Sequence, residues 1–343
     1  MSSLVRHVAP VAPDRAQGVV AEVYAQVNAE FSSIGPAVMM MSPAPELMAA
    51  GWSLMRESQL AGEISPVDKA LVALGAARSN GLEYDVQAFL AVLRLLGEPE
   101  LAGTVERGDA PADPARTALL DWASSTGVTE REPLEAPFPG REAAEYVGTL
   151  LFTHFVNRVA AAMLPAGLTP GTLDPADEPP FEGAPVLRDL RQELRPGATL
   201  PLLEGLPPGE PPAWAEGVPI GRAYAALVAT AAQGAGLLTP AAAETVSKVI
   251  AAHRGRRRAA TYRPDDELSA LDERERAGAR VAILAGLAPE AVTDADVAAW
   301  RATDRRFGDH CTVFLLAYGA MAAVTRIEAD LIPAAPLPGT VSG

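Results

Sequence analysis

Between Pro165 and Pro212 the chain carries twelve prolines, and no long helix can cross that stretch. A proline lacks the amide hydrogen that a helix interior needs, and its ring clashes with the carbonyl four residues back. At this density the segment reads as an extended connection, with room for one short helix over Val186–Glu193. On both sides the pattern changes. Apolar residues recur at three- and four-residue spacing in Gly18–Phe31, Pro45–Leu60, Pro66–Ser79, Asp85–Leu96, Pro114–Ser125 and Arg141–Leu164. The same spacing returns in Ile220–Ala235, Pro240–His253, Glu273–Leu287 and Asp309–Ile332. Alternation of β-branched residues is almost absent, so an all-α fold is expected. Ser65-Pro66 and Thr239-Pro240 each place a hydroxyl cap before a proline at the first helical position.

The division predicts four segments: a first helical repeat over 1–164, a Pro-rich linker over 165–213, a second helical repeat over 214–332 and a frayed tail over 333–343. Two echoes support a duplication. Ile64-Ser65-Pro66 matches Leu238-Thr239-Pro240, and Phe155-Val156-Asn157-Arg158 matches Ala323-Val324-Thr325-Arg326.

Hydrophobic residues make up 49% of the chain but aromatics only 5%, so the core must be built from Ala, Leu and Val. A net charge of −15 disfavours phosphate backbones and anionic membranes. Neither a secretory leader nor a run of about 18 apolar residues is visible, and a cytoplasmic protein that binds no membrane and no nucleic acid is expected. The basic run His253-Arg254-Gly255-Arg256-Arg257-Arg258 reads as a helix end and its turn. Gly-rich nucleotide loops and a GxSxG elbow are missing, and His154 has no second ligand at metal-binding spacing. No cofactor and no metal are expected. One cysteine, Cys311, excludes an internal disulfide and any Cys-x-x-Cys pair. It reads as a small buried residue; in Asp309-His310-Cys311 neighbouring side chains diverge on a helix and cannot form a nucleophile–base pair.

The stretch Ser65-Pro66-Val67-Asp68-Lys69-Ala70, continuing through Arg78-Ser79-Asn80-Gly81-Leu82-Glu83-Tyr84-Asp85 to Phe89, resembles the core motif of the alkylhydroperoxidase D-like, or carboxymuconolactone decarboxylase-like, family. The resemblance covers about the first 165 residues and, more faintly, the second half. It implies two helical repeats of that type joined by the Pro-rich linker, and assembly into a homo-oligomer. In the family a helix bearing a glutamate leads through a Ser-Arg-x-Asn-type turn into Cys-x-Tyr-Cys-x-x-x-His. Helix-end cysteines there cycle between dithiol and disulfide.

This chain departs from the motif at each reactive position. Leu82 and Asp85 stand at the two cysteine positions, Phe89 at the histidine and Ala70 at the glutamate, while Tyr84 persists. In the second copy Glu244 falls on the glutamate position, and Arg256 and Ala259 on the cysteines. A leucine and an aspartate cannot form a disulfide, so thiol peroxidase activity is expected to be lost. What remains is a candidate acid–base site for a small-molecule substrate: Asp85, Tyr84 and His154 as catalytic groups, with Arg78, Glu83, Asn157 and Arg158 as binding groups. His154, Asn157 and Arg158 share one helix face. The reactions that fit are decarboxylation, isomerisation, elimination and cyclisation, possible steps of bacterial specialised metabolism. The competing reading is a binding or structural descendant without catalysis, in which Asp85 is only a helix-end charge and the His154 face only a polar joint between helices.

Overall fold

A computed structural model describes residues 4–128 and 132–331. These residues form thirteen α-helices and no β-strand, so the fold is all-α. Helices α1 (Gly18–Glu30), α2 (Pro36–Met39) and α3 (Pro45–Met55) lead into a π-helical turn at Arg56–Leu60. Then come α4 (Pro66–Asn80), α5 (Glu83–Leu95), α6 (Pro99–Glu106), α7 (Pro114–Ser125) and α8 (Ala143–Met163). After the Pro-rich stretch follow α9 (Pro219–Ala232), α10 (Pro240–Ala252), α11 (Glu273–Leu287), α12 (Asp294–Arg301) and α13 (Asp309–Leu331). The tail expected over 333–343 lies outside the described residues.

Proline and cap chemistry set most of the helix starts. Pro36, Pro45, Pro66, Pro99, Pro114, Pro219 and Pro240 each sit in the first turn, where a missing N–H is harmless. The Thr239 hydroxyl accepts from Ala242 N as expected. Ser65 does not: its side chain makes no cap bond, and its carbonyl takes the Asp68 and Lys69 amides instead. At the end of α4, Gly81 adopts φ 62°, and the bonds Gly81 N to Arg78 O and Leu82 N to Ala77 O close a left-handed cap. That cap turns the chain directly into α5.

An aromatic-poor chain fills its core by bringing helices close. A Cβ on Gly75 of α4 would lie 2.7 Å from Ala123 Cβ and 2.9 Å from Leu120 O on α7. A Cβ on Gly319 of α13 would lie 2.0 Å from Ala282 O on α11. Glycine and alanine at these crossings let backbones approach as larger residues could not. Helix α8 packs against α4 in the first stretch and against α9 and α13 in the second, so one buried apolar core runs through both. Helix α13 is long and apolar enough to cross a membrane, but 67% of its most apolar window is buried in this core.

The Pro-rich stretch is strapped back onto the first helices. Leu187 bridges to Ser32, Ser33 N donates to Val186 O at 2.8 Å, and Arg188 N donates to Phe31 O at 2.8 Å. These pairings hold the chain extended, and the short helix expected over Val186–Glu193 is not there. Farther along, the Glu57 carboxylate accepts from Gly197 N at 2.6 Å and from the Thr199 hydroxyl at 2.7 Å. Arg56 donates to Glu30, to Glu57 and to Arg195 O, which fixes the exit of the strap. Leu173, Ala184 and Leu187 are buried as a result.

Candidate active site

The cap at Gly81 places Asp85 in the first turn of α5, on the side facing α1, α3 and α8. There a partly open apolar cavity of about 130 Å³ is lined by Val23 and Val27 of α1, Met48 and Trp52 of α3, Phe89 of α5 and Phe152 of α8. Pro170, Leu173, Pro185 and Leu187 of the strap cover it. Asp85 is the only charged side chain on its wall. The residue keeps partial exposure, yet its carboxyl end is enclosed.

Two effects compete at that carboxyl. The positive end of α5 favours the anion, an effect worth about 0.3–1 kcal/mol and so less than one pK unit. Burial disfavours the anion and wins: the pKa rises from 3.8 to about 7, although the Asn157 amide pulls it back down. Tyr84, beside it, is buried, lines the same cavity and makes no hydrogen bond within the described chain. Burial and the Asp85 charge push its phenol well up, so it stays protonated at neutral pH, with a hydrogen to donate and an oxygen that can accept.

Behind Asp85 a polar chain runs away from the cavity. Asn157 Nδ2 donates to Asp85 Oδ2, because only the NH2 end of an amide can serve a carboxylate. Asn157 Oδ1 then accepts from Asn80 Nδ2 at 3.0 Å. Asn80 Oδ1 accepts from Arg158 Nη1 at 3.1 Å and lies 3.1 Å from His154 Nδ1. The other side of the imidazole, Nε2, lies 2.7 Å from the Thr126 hydroxyl, which donates to Ala123 O, and Nδ1 is also 3.3 Å from Arg158 Nη1. Burial and the Arg158 and Arg257 cations hold the imidazole far below its usual pKa, so it is neutral. Arg158 is fully buried and donates to Gly286 O and Gly255 O, each at 3.0 Å, which ties the chain to the second stretch.

The expected site residues thus separate into groups. Asp85 and Tyr84 reach the cavity. Asn157, His154 and Arg158 form the network behind it; none of the three lines the cavity, so none is placed to touch a molecule there. Glu83 is exposed and accepts from Gln87 at 2.6 Å. Arg78 turns away and donates to Val105 O on α6. Neither Arg78 nor Glu83, expected as binding groups, lines this cavity. Cys311 is partly exposed rather than buried, with its sulfur 3.9 Å from Arg306 O, and it does not line the cavity. Of the arginines after His253, Arg256 is buried and Arg254 exposed, and both pair with Glu132 and Asp330, while half-buried Arg257 pairs with Glu290.

Sequence reading missed Asn80 and Thr126 as network members, and Trp52 and Gln59 as wall residues. One wall signal was legible. Met48 and Met55 of α3 stand seven residues apart, the mark of one helical face, and both line the cavity; Met41, in the turn before α3, lines it too. Among the described residues no cluster of His, Cys, Asp and Glu is arranged to hold a metal ion.

No protein-family model and no solved structure matches the chain. A curated protein of Mycobacterium tuberculosis, named alkyl hydroperoxide reductase, is 36% identical over 328 residues, which is 94% of this chain and 94% of that protein.

Proposed function

The chain belongs to the alkylhydroperoxidase D-like family, and from that premise we propose that it is a cofactor-independent enzyme whose acid–base group is Asp85 and whose substrate is a small, mostly apolar molecule. The observation that carries this reading is a carboxyl enclosed in an apolar cavity with its pKa raised to about 7. A carboxyl in that range holds and releases a proton with similar ease at neutral pH, which is what general acid–base catalysis asks of it. Oδ2 is oriented by Asn157, and Oδ1 has no partner in the described chain. The proton is exchanged at Oδ1. Tyr84 supplies a donor beside it. His154 is a positioning residue: neutral and enclosed, it sets the amides that aim Asp85.

The relative's name points to peroxide chemistry, and the fold is shared along nearly the whole chain. The thiols that would drive a dithiol cycle are not carried by this sequence, whose single cysteine lies off the cavity wall. The proposed chemistry is therefore proton transfer, of the kind used in decarboxylation, isomerisation, elimination or cyclisation.

The test compares metabolites of a deletion strain, a strain carrying Asp85→Asn and the parent. Asp85→Asn is expected to reproduce the deletion profile. A deletion that changes metabolites while Asp85→Asn matches the parent overturns the assignment in favour of a binding role.

A further inference from the structure

A buried carboxylate is ordinarily paired with a cation, because an isolated charge in an apolar site is costly. Asp85 has no such partner among the described residues. Its one hydrogen bond comes from the uncharged Asn157 amide, and no ion pair to it exists among the described residues. The nearest candidates on the packed helices are committed elsewhere. Arg78 of α4 serves Val105 O, and Lys69 of α4 is held by Ala61 O and Glu145. Arg158 of α8 reaches Asp85 only through Asn80 and Asn157. His154 of α8 is neutral. Glu83 on α5 itself is exposed and bound to Gln87. The remaining wall is mostly hydrocarbon, thioether and aromatic, including Phe31, Trp52, Phe89 and Phe152, with Ser32, Gln59 and Tyr84 as its uncharged polar side chains.

We propose that the missing counter-ion is supplied by the ligand: the cavity takes an apolar primary or secondary amine, whose ammonium group pairs with Asp85 Oδ1 while aromatic and methionine side chains cover its body. The aromatic faces add attraction for a cation. A carboxylate ligand would meet a like charge and no cation, so anions are rejected. The pairing also suits the chemistry proposed above, on whose cavity it rests. One proton passes from the ammonium N–H to Oδ1, the N–H bond breaks and an O–H bond forms, and the amine keeps its lone pair as a nucleophile. Enclosure weakens both charged forms at once, which brings the two proton affinities together.

The experiment is calorimetric titration of the full chain at pH 8 with three probes of similar shape: 2-phenylethylamine, 2-phenylethanol and phenylacetate. The amine is expected to bind about tenfold or more tighter than the alcohol, a difference of about 1.4 kcal/mol. Phenylacetate is expected to show no saturable binding. Asp85→Asn should bring the amine down to the alcohol's affinity, with the alcohol unchanged within about twofold; circular dichroism checks that the variant is folded. Phenylacetate binding as tightly as the amine overturns the proposal. So does an amine preference that survives Asp85→Asn, or no saturable binding by any of the three. An amine preference that depends on Asp85, in a protein whose Asp85→Asn strain matches the parent metabolically, removes the catalytic reading and leaves this one standing.

Discussion

Asn80 Nδ2 donates to Asn157 Oδ1 at 3.0 Å, and that one bond decides which way both amides face. With Asn157 held by its oxygen, its NH2 end is committed to Asp85. Reversing the first amide would reverse the second.

Asn80→Asp tests this directly. A carboxylate at position 80 still accepts from Arg158, but it has no proton to give Asn157. Asn157 then turns its NH2 end toward position 80 and presents its oxygen to Asp85. Asp85 loses a stabilising donor and gains a nearby negative charge, and both changes raise its pKa further. The Asp85 carboxyl resonance, followed by NMR through a pH titration, is expected to move its midpoint above about 7. A midpoint that moves down or stays fixed would contradict the relay.

Stability should depend on pH through the same carboxyl. The folded-state pKa of about 7 lies above the ordinary 3.8, so folding favours the protonated form. The unfolded chain gives up its proton first as pH rises. The protein therefore loses stability between about pH 4 and pH 7, and the loss levels off above that. About three units would amount to roughly 4 kcal/mol for a fully enclosed group, and partial exposure of the residue reduces it. Asp85→Asn removes this penalty while keeping the shape. It is expected to raise Tm at pH 8 and to leave it nearly unchanged at pH 4, where Asp85 is protonated in the folded protein. Equal effects at both pH values would show that the carboxyl is not shifted.

Arg158 links the two stretches of the chain through the Gly255 and Gly286 carbonyls. Its burial and the neighbouring Arg257 push its pKa down, yet a guanidinium remains a cation at neutral pH. Arg158→Met removes the guanidinium donor from those two carbonyls and from Asn80 Oδ1 in a dry interior. The expected destabilisation is about 3–5 kcal/mol, read by urea unfolding. Arg158→Lys keeps the charge but cannot reach several acceptors with one ammonium, and should recover less than half of the loss. Full recovery by lysine would mean that charge, rather than the planar fork, is what the site uses.

The helical architecture was readable because it is local: spacing of apolar residues, prolines at first turns and glycine at the α4 end are written in neighbouring positions. Asp85 and Tyr84 could be singled out because they occupy positions where a recognisable motif carries chemistry, and both line the cavity. The strap was misread in part. Its prolines announce an extended path, but nothing near Val186 in sequence says that Ser33 and Phe31 will pair with it. The same limit applies to Asn80, 77 residues from its partner Asn157, and to Thr126, 28 residues from His154. Tertiary contacts of this kind leave no local periodicity. Arg78 and Glu83 look adjacent to the site along the chain, but the left-handed turn at Gly81 rotates them off the cavity face.

Thiol chemistry can be tested on Cys311 alone, since the chain has no other cysteine. An internal disulfide cycle is impossible, so any thiol-dependent peroxide reduction must pass through a sulfenic acid on this one sulfur. Cys311 lies near the start of α13, off the cavity wall, with its sulfur 3.9 Å from the Arg306 carbonyl. Peroxide consumption with a dithiol reductant is therefore expected at the buffer rate for both the parent and Cys311→Ser, measured by loss of an alkyl hydroperoxide over time. Turnover in the parent that vanishes in Cys311→Ser would return the protein to thiol chemistry and displace Asp85 as its reactive group. Turnover that persists in Cys311→Ser but is lost in Asp85→Asn would keep the cavity as the site and make the peroxide its substrate.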